Sequence, residues 1–253
     1  MENDHGSNGA LTAGEHTLRE GTDTPIRPLF LLADSQLLFW KDDAGRLFLA
    51  RVREALSSPS PKAAYLGASN GDVPDYYDIF VAAMEGIGIR DTRMIPSRPS
   101  DADRAFFEEA EVILLAGGDA ARGLRTFQEN GLAERILARY AAGAVIIGIS
   151  AGAMQLGLRV WSGDARTAVD GFRLAPVVIG AHDEPEWTSL TTAVEMLAGM
   201  GRGIGIPSGG GAVVHADLTV EPVRKALVEI GVEDGVARRA LLVPGSDGGS
   251  AAR

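Results

Sequence analysis

Apolar residues fall along the chain in two alternating rhythms. Short, nearly unbroken runs of Leu, Val, Ile and Ala read as strands buried on both faces. They are "RPLFLLAD" (27–34), "KAAYLGAS" (62–69), "DTRMIP" (91–96), "EVILLAGGD" (111–119) and "AVIIG" (144–148). Between them lie stretches with apolar positions three and four apart, the spacing of a helix with one buried face. These are "GRLFLARVREAL" (45–56), "VPDYYDIFVAAMEGIG" (73–88), with Gly86 and Gly88 near its end, and "DADRAFFEEA" (101–110), where Asp101 reads as the N-cap. "LRTFQENGLAERILARYAAG" (124–143) is one helix broken at Asn130-Gly131, or two.

Strands alternating with helices predict an α/β fold, a mostly parallel sheet with helices on both faces. Ligands in such sheets bind beyond the carboxyl ends of the strands. The loops "YLGASNGD" (65–72), "LLAGGDAARG" (114–123) and "GISAGAM" (148–154) should therefore converge. The last third changes character. "FRLAPVVIGAH" (172–182) reads as a strand and "WTSLTTAVEMLAGMG" (187–201) as a helix. Short strands follow in "GIGIPSGGGAVVH", "RKALVEIG" and "RRALLVPG", expected to extend the sheet, partly antiparallel, at one edge. No linker divides residues 27–245, which read as a single domain. Residues 1–26, rich in Gly, Thr, Glu and Asn, read as a disordered leader, and 246–253 as a flexible tail.

Composition narrows the chemistry. The chain has no cysteine, so disulfides, thiolate metal sites and a cysteine nucleophile are excluded. A formal net charge of -10 speaks against non-specific nucleic-acid binding, which needs clustered Lys and Arg. The leader has neither a basic start nor an apolar stretch, and no run approaches the roughly 20 apolar residues of a membrane helix. A cytoplasmic protein, without membrane or nucleic-acid partners, is the expectation.

The stretch "GAVIIGISAGAMQLG" (143–157) carries the strongest chemical signal. A buried strand ends in Gly148-Ile149-Ser150-Ala151-Gly152 and turns at once into a helix, the arrangement of a nucleophile elbow after a central strand. A serine nucleophile needs a base at neutral pH. His5 and His16 lie in the leader, leaving His182 and His215. His215 in "AVVHAD" reads as an edge residue, whereas His182 ends a strand, on the rim where Ser150 would stand. "GRGIGIPSGGG" lacks the spacing of a dinucleotide loop, there is no P-loop or H-E-x-x-H, and two folded histidines without cysteine make a poor metal site. Neither a metal nor a cofactor is expected. A single interval of 32 residues (182 − 150) separates Ser150 from His182, shorter than an α/β-hydrolase ordinarily uses.

"GISAGA", preceded by "LLAGGD" and followed by a strand ending in His182, resembles the dipeptidase E and cyanophycinase family of serine peptidases. The resemblance runs from about residue 28 to about residue 245 and takes in "AAYLGASNGD" and "GIGIPSGGGAVV". It implies a class I glutamine-amidotransferase-like (flavodoxin-like) fold with serine in place of the amidotransferase cysteine. It also implies Ser150 as nucleophile, His182 as general base, and backbone N–H groups of Gly118 and Ala151 as the oxyanion hole. The helix after Ser150 would turn its positive end toward the developing charge. A carboxylate between nucleophile and histidine would orient the base. Asp164 matches the family's placement best, and Asp170 against Gly171 reads equally well as a turn residue. The expected substrate is a small peptide or isopeptide amide, cleaved through an acyl-enzyme, and the expected assembly is a homodimer. The alternative is a non-catalytic amidotransferase-like domain that binds a ligand or partner.

The chain departs from cyanophycinases where they hold substrate. Ala120 and Ala181 stand for glutamines, Pro207-Ser208 for "DE", and the arginines after the histidine are replaced by "HDEPEW". Cyanophycin should therefore be a poor substrate. Asp119, Glu184 and Glu186 are the candidate substrate-binding residues. The acidic segment would favour a positive group near the scissile amide, and Asp183 or Glu184 could instead cap the next helix, with Pro185 at its first position.

Overall fold

In the computed structural model, residues 25–161, 168–197 and 201–245 are described. The expected leader up to residue 24, the tail from residue 246 and the candidate acid Asp164 lie outside the described residues. Five parallel strands form the heart of the fold: β1 (Leu29–Leu32), β2 (Lys62–Leu66), β3 (Asp91–Ile95), β4 (Val112–Leu115) and β5 (Val145–Ile149). They lie in the order β1-β5-β4-β2-β3. Alternate residues point to opposite faces. Leu29, Leu31, Ile113 and Ile146 therefore join one core, and Phe30, Leu32, Leu114 and Ile147 the other. Covering both faces buries both sets, which is why these strands read as continuous apolar runs.

The helices cover the two faces as their apolar stripes dictate. On one side lie α1 (Ala50–Glu54), through Val52, and α2 (Pro74–Gly86), through Phe80, Ala83 and Met84. On the other lie α3 (Asp101–Glu109), α4 (Ala120–Glu129), α5 (Leu132–Ala141) and α6 (Ala151–Leu156). Asp101 is the first residue of α3 and not its cap. Ser100 fills that role, its hydroxyl accepting from the Asp103 N–H while the Asp103 carboxylate accepts from the Ser100 N–H. The segment from 124 to 143 is two helices, parted at Asn130-Gly131.

A hairpin of β6 (Arg159–Trp161) and β7 (Ala168–Asp170) leads on to β8 (Val178–Ala181). After it come α7 (Thr188–Met196), β9 (Gly203–Ile206), β10 (Gly211–Val214), β11 (Val220–Val223), β12 (Leu227–Glu233) and β13 (Val236–Leu242). Only β10 and β11 extend the large sheet, antiparallel beside β1. The strands β8, β9, β12 and β13 instead build a second sheet in the order β13-β12-β9-β8. The reason lies in α7, which buries Trp187, Leu190 and Val194 against this sheet. A Cβ at Gly205 would come within 2.6 Å of the Trp187 ring, and one at Gly203 within 2.6 Å of Val194, so the helix seats directly on glycine backbone. Strand pattern alone cannot say which sheet a strand joins. Among the described residues, no helix is long and apolar enough to cross a membrane.

An ion cluster ties α1 to the outer edge of the large sheet. Arg51 pairs with both oxygens of Glu221, at 2.8 and 2.7 Å, and His215 Nε2 lies 2.9 Å from the same carboxylate. His215 is thus the edge residue that the sequence suggests. The Arg51 hydrogen bond is the main cause that lowers the Glu221 pKa from its ordinary value; burial opposes it, and His215 adds to it. A carboxyl whose pKa is lower folded than unfolded stabilises the fold above the unfolded value, about 4.3, and loses that contribution as pH falls through the folded value. Wild type should therefore melt above Glu221→Gln at pH 7. The gap in thermal melts should close as the pH is taken from 5 toward 3; a gap unchanged at pH 3 would remove this linkage.

Candidate active site

The turn from β5 into α6 is built by close backbone approach. A Cβ on Gly152 would stand 2.0 Å from the Leu115 carbonyl oxygen, and one on Gly148 would stand 2.6 Å from the Ala153 nitrogen. Glycine at both positions lets the helix rest on strand backbone. Between them Ser150 adopts φ 50° and ψ −110°, a conformation that costs a non-glycine residue about 1–3 kcal/mol. Its N–H donates to the Leu32 carbonyl at 2.8 Å and its carbonyl accepts from the Met154 N–H at 3.0 Å, so strand and helix hold the strained residue from both sides.

His182 follows β8 of the second sheet and still reaches the first. Its N–H continues the ladder to the Ile206 carbonyl at 3.0 Å, and its φ is 45°. Its ring lies with Nε2 2.7 Å from Ser150 Oγ. For Nε2 to accept the serine proton, the ring proton must sit on Nδ1.

Next to Ser150, the loop after β4 supplies two glycines. A Cβ at Gly117 would sit 3.4 Å from the Ser150 Cβ, so this backbone runs beside the serine. Gly118 has φ 131°, and a Cβ there would lie 2.3 Å from the Ser69 carbonyl oxygen, so only glycine fits. Among the described residues, the N–H groups of Gly118 and Ala151 have no acceptor.

Ser69, which sequence reasoning passed over as part of a loop, anchors this corner. Its carbonyl accepts from the Asp119 N–H at 2.9 Å and from Arg122 Nη2. Its hydroxyl accepts from Nε2 of Gln155, a fully buried side chain that also donates to the Ala120 carbonyl at 2.9 Å. Gln155 on α6 thereby couples the elbow to the loop carrying Gly118. The only signal in the sequence was a glutamine in the otherwise apolar "AGAMQLG".

The acidic candidates separate. Asp170 pairs with Arg159 across the β6–β7 hairpin at 3.0 Å, and Asp164 is outside the described residues. Asp119 caps α4, accepting from the Arg122 N–H at 2.9 Å. Asp183 reaches forward to the first turn of α7 and accepts from the Ser189 N–H at 3.0 Å. That helix starts at Thr188, so Pro185 precedes it and is not its first residue. Glu184 accepts from the Ser208 N–H at 3.0 Å, and Glu186 is exposed, its carbonyl accepting from Arg239. Desolvation raises the Glu184 pKa, but the Ser208 hydrogen bonds and the nearby His182 outweigh it and leave the carboxyl below its ordinary value. None of Asp119, Glu184 and Glu186 lines the pocket beside Ser150.

That pocket, about 250 Å³, opens at Ser150 and His182. It draws on the carboxyl ends of β1, β4 and β5 and the loop after β2, as expected of an open α/β sheet. Its other walls come from the 3-10 turn Ser35–Leu38 and from α2, neither of which the sequence marked as functional.

The fold superposes on that of a peptidase from an acI-B1 Actinobacterium with a TM-score of 0.61 at 16% identity, covering 87% of this chain and 96% of the other. A putative peptidase E protein from Listeria monocytogenes EGD-e superposes with a TM-score of 0.55 at 15% identity, covering 82% and 99%. No curated protein matches the sequence. The family model for Peptidase family S51 matches residues 29–186, from the first strand of the sheet through Ser150 to the segment just past His182, and the chain belongs to that peptidase family.

Proposed function

We propose that the protein is a serine peptidase that cleaves a peptide or isopeptide amide through an acyl-enzyme. The observation that carries this reading is the 2.7 Å contact between Ser150 Oγ and His182 Nε2 at the mouth of a pocket. In this mechanism Ser150 Oγ attacks the scissile carbonyl carbon as His182 Nε2 takes its proton. The carbonyl oxygen gains the charge and is held by the Gly118 and Ala151 N–H groups; a donor of this kind contributes about 10²–10³ in rate. The tetrahedral intermediate collapses, His182 returns the proton to the departing amine, and an ester on Ser150 remains. Water, deprotonated by the same nitrogen, then releases the acid. Asp164 is the proposed partner of His182 Nδ1–H. Side chains and backbone supply every step. The machinery is cyanophycinase-like, whereas Ala120, Ala181 and the "HDEPEW" segment replace the residues by which cyanophycinases hold their polymer.

A fluorophosphonate tests this reading without a known substrate. It should attach to Ser150, identified by peptide mass mapping, and labelling should disappear in Ser150→Ala and slow strongly in His182→Ala. Labelling at the wild-type rate in His182→Ala would remove the histidine as base.

A further inference from the structure

We propose that the pocket beside Ser150 receives an uncharged apolar or aromatic side chain on the acyl side of the scissile amide, with Tyr76 and Ile79 setting the preference. This rests on the peptidase reading above. At about 250 Å³ the pocket falls below the roughly 300–1,000 Å³ of sites that enclose drug-sized ligands, so it suits one side chain better than a stretch of polymer. Its wall on α2 is Tyr76, Ile79 and Phe80, spaced so that one helix face covers the site. Phe80 is buried and fixed by Tyr65 and Tyr77, with ring centroids 5.5 and 6.0 Å away. Tyr76 is 53% exposed, a large apolar ring held in solvent at the pocket wall. Leu38, Leu114 and Ile149 continue the apolar lining.

Charge points the same way. The lining contains no lysine or arginine. Its one carboxylate, Asp34, accepts from the Gln36 N–H at 2.8 Å and the Gly209 N–H at 2.6 Å, so it is bound to the turn after β9. An acidic side chain would meet that carboxylate and no lysine or arginine. Two guanidiniums stand outside the lining: Arg122 donates to the Ser69 carbonyl behind Gly118, and Arg224 donates to the Gly209 carbonyl at 3.2 Å, in the turn that holds Asp34. The acyl side is assigned from the chemistry of the site. His182 at the pocket's edge must face the departing amine to protonate it, while the lining runs along Gly117 and Gly118, whose backbone would hold the acyl carbonyl oxygen.

The test uses the full-length enzyme and aminoacyl amides with one common amine and Phe, Leu, Asp or Arg as the acyl residue. Phe and Leu should exceed Asp and Arg in kcat/KM by about 10–100-fold, the value of burying one such side chain. A second series, varying only the amine residue, should be flatter. Ile79→Arg should lower kcat/KM for Phe and raise it for Asp, and Tyr76→Ala should narrow the gap between Phe and Asp. Fluorophosphonate labelling of each variant reports separately that Ser150 and its surroundings are intact. Labelled enzyme with equal rates across the acyl series, or with its selectivity on the amine side, would overturn the pocket assignment alone. A preference for Asp would overturn it in favour of Arg122 or Arg224, and one for Arg in favour of Glu184 and Glu186. Absence of labelling in wild type would remove the peptidase reading and this one with it.

Discussion

Ser150→Ala and His182→Ala should each lower kcat by on the order of 10⁶, and the double variant should lose no more than the worse single one. The reason is that in the proposed mechanism the two side chains act as one device. Without the imidazole, the hydroxyl keeps its proton and is a weak nucleophile; without the hydroxyl, the imidazole has nothing to activate. Removing either leaves the proposed backbone donors at Gly118 and Ala151, so slow residual hydrolysis should persist in all three variants. The fold should not explain the loss. Ser150→Ala removes only the hydroxyl and keeps both backbone hydrogen bonds at that position, to the Leu32 carbonyl and from the Met154 N–H, and His182 is exposed. Steady-state rates on any cleaved amide, with thermal melts of the same samples, check this. Losses that multiply in the double variant would show two independent contributions and end the dyad reading.

The legible part of this protein was the part governed by local rules. Residues such as Leu29–Leu32 and Val112–Leu115, buried on both faces, announce strands of a parallel sheet without further information. Gly148 and Gly152 around Ser150 announce the elbow, because only glycine allows the approach to Ala153 and Leu115 that the turn requires. His182 could be chosen over His215 because a strand end is where chemistry collects in such folds. What stayed hidden depends on distant partners. The second sheet exists because Trp187, Leu190 and Val194 need a surface, and nothing in β8 or β9 says which sheet will provide it. Ser69 and Gln155 meet across 86 positions, and Asp34 meets Gly209 across 175. The pocket wall was invisible for the opposite reason. Tyr76, Ile79 and Phe80 follow helical spacing, which reads as ordinary core packing until β1 and β5 place the serine beside them. The acidic run after His182 admits two readings in the sequence, substrate contact and helix capping; only the structure shows Asp183 meeting the first turn of α7 and Glu184 the Ser208 N–H.

If Asp164 is the proposed partner of His182, Asp164→Asn should lower kcat by about 10⁴, whereas Asp170→Asn should leave kcat close to wild type. The two substitutions are alike in shape and differ in the role proposed for each carboxylate. A carboxylate facing Nδ1 can only accept, which keeps the proton on Nδ1 and leaves Nε2 free for the serine. An amide in the same place can present its N–H₂ to Nδ1, which favours the tautomer with the proton on Nε2. That nitrogen then cannot receive the Ser150 proton across the 2.7 Å contact, although every atom remains in position. Asp170 has another partner, the Arg159 guanidinium at 3.0 Å, and its side chain is 61% exposed. Losing an exposed pair of that kind costs about 0–1 kcal/mol, a matter of melting temperature and not of rate. Glu184 supplies the control, because His182 is among the groups that lower its pKa, yet one of its oxygens is taken by the Ser208 N–H. Glu184→Gln should therefore reduce kcat far less than Asp164→Asn. If Glu184→Gln carries the 10⁴-fold loss and Asp164→Asn is nearly silent, the histidine is oriented from its own strand end, and the loop between Ser150 and His182 has no part in the proton transfer.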